Sequence, residues 1–263
     1  MIPEKLAQRL RELGEDPEKI YNTRTRKAML GRGAEPVPWF PDASYDGLGY
    51  KFDPISAVPV LALEPKPNEK ILDMCAAPGT KTILIAHMIN NSGNIVANDV
   101  SRNRVLRLRE NLEANKIRAE ITNVSGRIIK DKFDKVLLDA PCSGEGIVNK
   151  KEKLFSTWSE RRINFLSKKQ KKLIKNAFKI LNSNGMLVYS TCTFAPEENE
   201  DVVQHLLDKN DARLEPITVD VEHAAGLREW RSAKFSESMR RCMRIYPRHN
   251  GTSGFFVARI RKA

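Results

Sequence analysis

A chain of 263 residues with 41% hydrophobic content is long enough to bury one sizeable core, and 45 Lys+Arg against 33 Asp+Glu leave a formal net charge of +12. That excess draws polyanions by long-range attraction and counterion release, so a nucleic acid is the expected partner. No apolar run approaches the roughly 18 residues of a membrane span and no secretory leader is evident, which points to a cytoplasmic protein with no membrane partner. Cys75, Cys142, Cys192 and Cys242 form neither a CxxC pair nor a Cys/His cluster. Free thiols are therefore expected, without a disulfide framework or a metal.

In chain order, a short helix runs to Leu13 and is stopped by Gly14 and Pro17. The stretch GRGAEPVPWFPDASYDGLGYKFDP is too rich in Pro and Gly for a regular helix and reads as an ordered arm. Residues 1–65 are accordingly expected to form an N-terminal arm or small accessory region facing the nucleic acid, and 66–263 the main domain. From Lys70 the pattern becomes strand, turn, helix. Strands are expected at Ile71–Cys75, Asn94–Asn98, Ala119–Val124, Asp134–Asp139, Met186–Thr191 and Gly254–Ile260. Helices are expected between them at Thr80–Met88, Arg102–Asn115, Trp158–Leu181 and Glu197–Lys209. This alternation predicts an α/β fold with a mostly parallel sheet covered on both faces.

Open sheets of this kind bind ligands at the carboxyl ends of their strands. The first strand ends in DMCAAPGTKT, whose turn, Cys75, Ala76, Ala77, Pro78, Gly79, Thr80 and Lys81, opens onto a helix N-terminus suited to an anionic or polar ligand. Neither GxGxxG nor GxxxxGK[ST] is present, which disfavours nicotinamide and ATP. Asp99, at the end of the second strand, stands where an acidic residue holds ribose hydroxyls. A nucleoside-containing cofactor without a pyrophosphate fits, and S-adenosyl-L-methionine is the common one. Cys142, in LDAPCSGEG, and Cys192, in YSTCTFAPEENE, each follow a short apolar run, so both thiols should emerge at the same sheet edge. Positive charge gathers at Arg24, Arg26, Lys27 and Arg32, along Arg102–Arg109, from Lys168 to Lys175, and at Arg240, Arg241, Arg244 and Arg248. The last group, interleaved with Tyr246 and His249, reads as a phosphate-and-base surface, while the Lys168–Lys175 run fits a solvated helix face equally well. Cys242, His205, His223, Trp39 and Trp158 read as structural or incidental.

Together, DMCAAPGTKT, LDAPCSGEG, YSTCT with PEENE, and the closing IYPRHNGTSGFFVARIRK resemble the motif set of the Sun family of RNA (cytosine-5) methyltransferases, in a short, archaeal-like form. The similarity runs from about Glu35 to the C-terminus. It implies a Rossmann-like class I methyltransferase fold with a seven-stranded sheet, S-adenosylmethionine as cofactor and RNA as substrate. Carbon 5 of cytosine is a poor nucleophile, so a thiolate must first add to carbon 6. The resemblance assigns that addition to Cys192 and the later release step to Cys142. It places Asp139 near ring nitrogen 3, Lys81 on the methionine carboxylate or the active-site carboxylate, and Asp99 on the ribose. Arg104 fits a brace for Asp99 or the cofactor and a solvated helix face equally well. Where the family carries an Asp toward the adenine this chain has Ser125, with Asn123 as a substitute contact. Expected RNA contacts are Arg24, Arg26, Arg241, Arg244 and Arg248. A module-free chain favours tRNA over rRNA as substrate and a monomer as the working form. Two alternatives stand beside this reading: a methyltransferase on another nucleic acid that attacks through Cys142, and a catalytically silent RNA-binding protein on the same fold.

Overall fold

The computed structural model describes residues 1–25, 28–30 and 50–262, so Arg26, Lys27, Arg32, Trp39 and most of the Pro- and Gly-rich stretch 31–54 lie outside the described residues. The chain opens with helices α1 (Glu4–Glu12) and α2 (Pro17–Asn22). The second starts where Asp16 accepts hydrogen bonds from the backbone N–H groups of Glu18 and Lys19, with Pro17 in the first turn, where its missing N–H costs nothing. Strand β1 (Ala28–Leu30) pairs antiparallel with β2 (Tyr50–Phe52), and a 3-10 turn at Pro54–Ala57 leads into α3 (Val58–Leu63).

The alternating region then follows: β3 (Lys70–Asp73), α4 (Thr80–Met88), β4 (Asn94–Asn98), α5 (Arg102–Ala114), β5 (Glu120–Thr122), β6 (Phe133–Asp139), α6 (Lys151–Thr157), α7 (Glu160–Lys179), β7 (Leu181–Thr191) and α8 (Glu200–Leu207). The chain closes with β8 (Ala212–Glu215), β9 (Ala224–Ala225), the hairpin β10 (Glu229–Trp230) and β11 (Ala233–Lys234), β12 (Met243–Ile245) and β13 (Phe255–Lys262). The large sheet runs in the order β5-β4-β3-β6-β7-β13-β12-β9, with β8 also on β13. Its first five strands are parallel; β13 lies antiparallel to β7, from Phe256 opposite Thr191 to Arg261 opposite Met186. The sheet is therefore Rossmann-like but has nine strands, not seven. Strands β8 and β12 divide one edge of β13 between them, and β9 adds two residues on β12.

Apolar side chains cover both faces of the sheet. On one, Val60, Ile83, Leu84, Leu108 and Leu112 of α3, α4 and α5 pack in a single cluster; on the other, Leu173, Ile174, Phe178, Val202 and Leu206 of α7 and α8 do the same. Fully burying each such side chain is worth about 1.5–3 kcal/mol. A third cluster joins Leu6, Leu10, Ile20 and Tyr21 of α1 and α2 to Val148, Leu154, Phe194 and Tyr246. The N-terminal helices are thus docked beside the loops that follow β6 and β7. Among the described residues no helix is long and apolar enough to cross a membrane.

Candidate active site

Parallel strands β3, β4 and β6 end side by side, and their carboxyl ends carry the turn that was expected to hold a ligand. Gly79 caps α4 at φ 113, a left-handed conformation, and a Cβ there would meet Leu108 Cδ1 at 3.0 Å, so glycine is required twice over. Helix α5 holds the turn from outside: Arg104 donates to the Ala77 carbonyl and Asn111 Nδ2 to that of Pro78 at 2.7 Å. Thr80 Oγ1 lies 2.9 Å from Tyr50 Oη, so β2 also reaches the turn. Asp99 is 1% exposed, accepts from the Ser101 N–H at 2.9 Å and pairs with Arg104 at 3.0 Å. Arg104 therefore braces Asp99, one of the two roles expected for it. Asn123 donates to the Asp99 carbonyl at 2.7 Å, and Ser125 is half-buried nearby in sequence.

Two residues that sequence reasoning missed complete this edge. Asn98 is wholly buried and bonds the carbonyls of Met74 and Val124, the Val124 N–H and the Thr122 hydroxyl, tying three strand ends together. Asp73 accepts from Thr82 Oγ1 at 2.7 Å, while its Oδ1 is buried without a partner among the described residues. Burial pushes the Asp73 carboxyl up to about 7 against the opposing pull of Thr82 and Lys81. It lines a cavity of about 330 Å³ together with Cys75 to Pro78, Thr80, Lys81, Asp139 and Cys192. Burial, then Asp99, raises the Cys75 thiol, which keeps it protonated.

The two candidate catalytic thiols meet. Cys142 and Cys192 arrive on separate loops, after β6 and β7, with their Sγ atoms 3.1 Å apart. The hydrogen bond with Cys192 and then burial raise the Cys142 thiol well above its ordinary range. Beside them Asp139 accepts from Lys81 Nζ at 2.7 Å and from Ser190 Oγ at 2.9 Å. Burial opposes the charge on Lys81, but Asp139, then Asp73 and Cys192, outweigh it and raise its pKa. Of the two contacts expected of Lys81, the one present is the active-site carboxylate. A second cavity, of about 230 Å³, is lined by both thiols together with Ser143, Lys150, Lys153 and Arg162.

The PEENE segment fixes both thiol loops, each polar residue in a different direction. Glu197 binds the Arg9 guanidinium of α1 at 2.7 Å and the Trp230 indole N–H at 3.1 Å. Glu198 accepts from the Ser143 N–H at 3.0 Å and from Gln170 Nε2 at 2.7 Å, and burial pushes its carboxyl up to about 7. Asn199 accepts from Thr191 Oγ1 at 2.6 Å and donates to the Thr193 carbonyl at 2.9 Å. Glu200 takes the Arg244 guanidinium at 2.7 Å. Glu145, from the Cys142 loop, accepts from Trp158 Nε1 at 2.8 Å and from Thr193 Oγ1 at 3.0 Å, so Trp158 is a packing residue, as expected. Four consecutive polar residues beside a thiol strand were the available signal for this scaffold.

The expected RNA contacts are placed unequally. Arg24 and Arg241 are exposed, with Arg241 bonded to the Leu214 carbonyl at 2.7 Å. Arg248 is half-exposed and pairs with Glu15 at 2.8 Å. Arg244 corrects the expectation: its side chain is 3% exposed against a Glu200 side chain at 0%, so the guanidinium is a core strut and presents no charge to a surface ligand. Arg26 lies outside the described residues. Cys242 is fully buried, in keeping with a structural role.

Comparison with known proteins matches this architecture to RNA methyltransferases. The family described as 16S rRNA methyltransferase RsmB/F matches residues 60–261. The tRNA (cytosine(49)-C(5))-methyltransferase of Pyrococcus abyssi is 42% identical over 92% of this chain and 85% of its own length. The ribosomal RNA small subunit methyltransferase F of Vibrio parahaemolyticus is 41% identical over 82% of this chain, which spans only 45% of that protein. A methyltransferase homologue from Pyrococcus horikoshii superposes over the whole of both chains, with a TM-score of 0.80 and 28% identity. NSun6 from the same organism, solved with SFG, superposes over 85% of this chain and 56% of its own, with a TM-score of 0.72 and 33% identity. The chain belongs to the RsmB/F, or Sun, family of RNA (cytosine-5) methyltransferases.

Proposed function

We propose that this protein methylates carbon 5 of a cytosine in tRNA, using S-adenosylmethionine and a covalent adduct through Cys192. The observation that carries the reading is the pair of thiols 3.1 Å apart, flanked by the Lys81–Asp139 ion pair. The cavity fits the cofactor. The turn from Cys75 to Thr80 and the buried Asp99 would take the nucleoside, and the partnerless Asp73 Oδ1 is an acceptor suited to the ammonium of the methionine moiety. SFG is an analogue of the same cofactor, which supports this assignment. When bound, S-adenosylmethionine supplies an electrophilic methyl group.

The chain's own residues do the remainder. The Cys192 thiolate adds to carbon 6 of the cytosine, placing electron density on the ring that Lys81 and Asp139 neutralise from the side of nitrogen 3. The bound cofactor would supply the methyl group that carbon 5 takes up. The proton on carbon 5 must then pass to water so that the carbon 5–carbon 6 double bond re-forms and the electron pair of the carbon 6–sulfur bond returns to Cys192; Cys142, whose Sγ lies 3.1 Å from that of Cys192, would serve this release step. The P. abyssi relative, which this chain covers over most of its length, acts on tRNA and supports tRNA as the substrate. Transfer of tritiated methyl groups to a tRNA pool and to ribosomal RNA, followed by mapping of 5-methylcytosine, tests this. Label confined to tRNA cytosines is expected; label in ribosomal RNA alone would overturn the substrate, and no label in either would overturn the activity.

A further inference from the structure

We infer that the flank of α7 facing the second cavity is the track along which the RNA strand enters, with Phe165 as a stacking platform for an unpaired base; this rests on the reading of the chain as an RNA methyltransferase. The cavity of about 230 Å³ has both thiols at its floor and Lys150, Lys153 and Arg162 at its rim. Lys150 also lines the first cavity and a third one beside α2, so the cationic rim is continuous across the mouth of the site.

Arg162 is the third residue of α7 after its cap, Ser159, and it begins a stripe. Arg162, Phe165, Lys169 and Lys172 recur at spacings of three and four, so they share one side of the 20-residue helix. Because Arg162 lines the cavity, that side is the one turned toward it. Phe165 is 67% exposed, a large apolar cost for a residue with nothing to cover it, and it stands between cations rather than in an apolar patch. Among the described residues, Arg162, Lys169 and Lys172 have no carboxylate partner on their side chains. The opposite flank differs: Glu160 pairs with Arg9 at 3.4 Å and Lys171 with Asp201 at 2.8 Å. One side of the helix is thus committed to holding the fold, while the other carries free cations and a bare aromatic ring leading to the thiols. Cations spaced along a groove, interleaved with an aromatic face, match a phosphate backbone with splayed bases.

The test uses the full chain and a fluorescein-labelled tRNA transcript, with affinity followed by anisotropy from low to physiological salt. Lys169→Glu combined with Lys172→Glu should weaken binding at least tenfold and lower the slope of log Kd against log salt by roughly two, because each lost phosphate contact removes about 0.7–0.9 from it. Phe165→Ala should weaken binding about 5- to 100-fold while leaving the slope unchanged, the signature of a lost stacking contact. Unchanged thermal unfolding midpoints establish that the variants fold, and charge reversal of Lys66, in the loop that leads into the amino end of β3, serves as the control. If the wild type methylates tRNA but these variants bind with unaltered affinity and slope, the track is wrong and the activity stands. If the wild type neither binds nor methylates any RNA, the functional reading fails first.

Discussion

The identity of the nucleophile is decided between two sulfur atoms in contact. The hydrogen bond to Cys192 and burial push the Cys142 thiol up, and the Lys81 ammonium is close enough to Cys192 to interact with its charge. Asp99 is the proposed cofactor contact whose loss is most readily measured. Asp99→Ala should weaken S-adenosylmethionine binding about 10- to 100-fold by calorimetry, the equivalent of one lost charge-assisted hydrogen bond at roughly 1.5–3 kcal/mol. Arg244 makes the converse case. Arg244→Ala strands the buried Glu200 charge and should cost about 3–5 kcal/mol in urea denaturation, with no change in the salt slope of RNA binding. The sequence made Asp99 and the thiols visible because turn chemistry and cysteine context are local. It misread Arg244 because a positive charge among other positive charges carries no information about burial; only the pairing of β12 with β13 takes it inside.

At the scale of elements, the site is built from two loops pinned by one short polar segment. Gly146 is where the pinning is tightest: a Cβ there would lie 2.5 Å from the Gly254 carbonyl oxygen, a backbone atom that cannot swing away. Gly146→Ala should shift the Cys142 loop and abolish methyl transfer, while calorimetry still detects cofactor binding at the separate Cys75–Lys81 turn. Glu198 predicts a pH dependence. Its carboxyl, pushed to about 7 when folded, is neutral in both states at low pH, and once ionised it carries a burial penalty that the hydrogen bonds from Ser143 and Gln170 only partly offset. Stability should therefore fall as pH rises from about 4.5 to 7, by on the order of 2 kcal/mol from this group, with Asp73 acting in the same direction. Urea midpoints across that range should show the decline, and Glu198→Gln should flatten it; a midpoint that rises toward neutral pH would contradict the assignment. Legibility here followed propensity. Long periodic elements such as α4, α5 and β6 fall where their patterns place them. The strands β8, β9 and β12 are two to four residues long and exist because β13 offers an edge, a tertiary cause that no local pattern records.

For the molecule as a whole, the sheet places two cavities that meet at Cys192, which lines both, so the proposed cofactor and RNA sites share that thiol. The N-terminal helices add to the site, since Arg9 reaches across to Glu197 and Tyr21 donates to the Glu145 carbonyl at 3.1 Å. Alternation of strand and helix announced the fold class, and motif order announced the chemistry. The docking of α1 and α2 was not legible, because it depends on apolar residues far apart in the chain meeting at Phe194 and Tyr246. The central claim is that attack belongs to Cys192 and release to Cys142, and denaturing gels of each variant after incubation with tRNA and S-adenosylmethionine test it most directly. Cys192→Ala should give neither methylated RNA nor a covalent complex, whereas Cys142→Ala should accumulate a protein–RNA species that survives denaturation. Accumulation of that species by Cys192→Ala, with none from Cys142→Ala, would contradict the account and transfer the attack to Cys142.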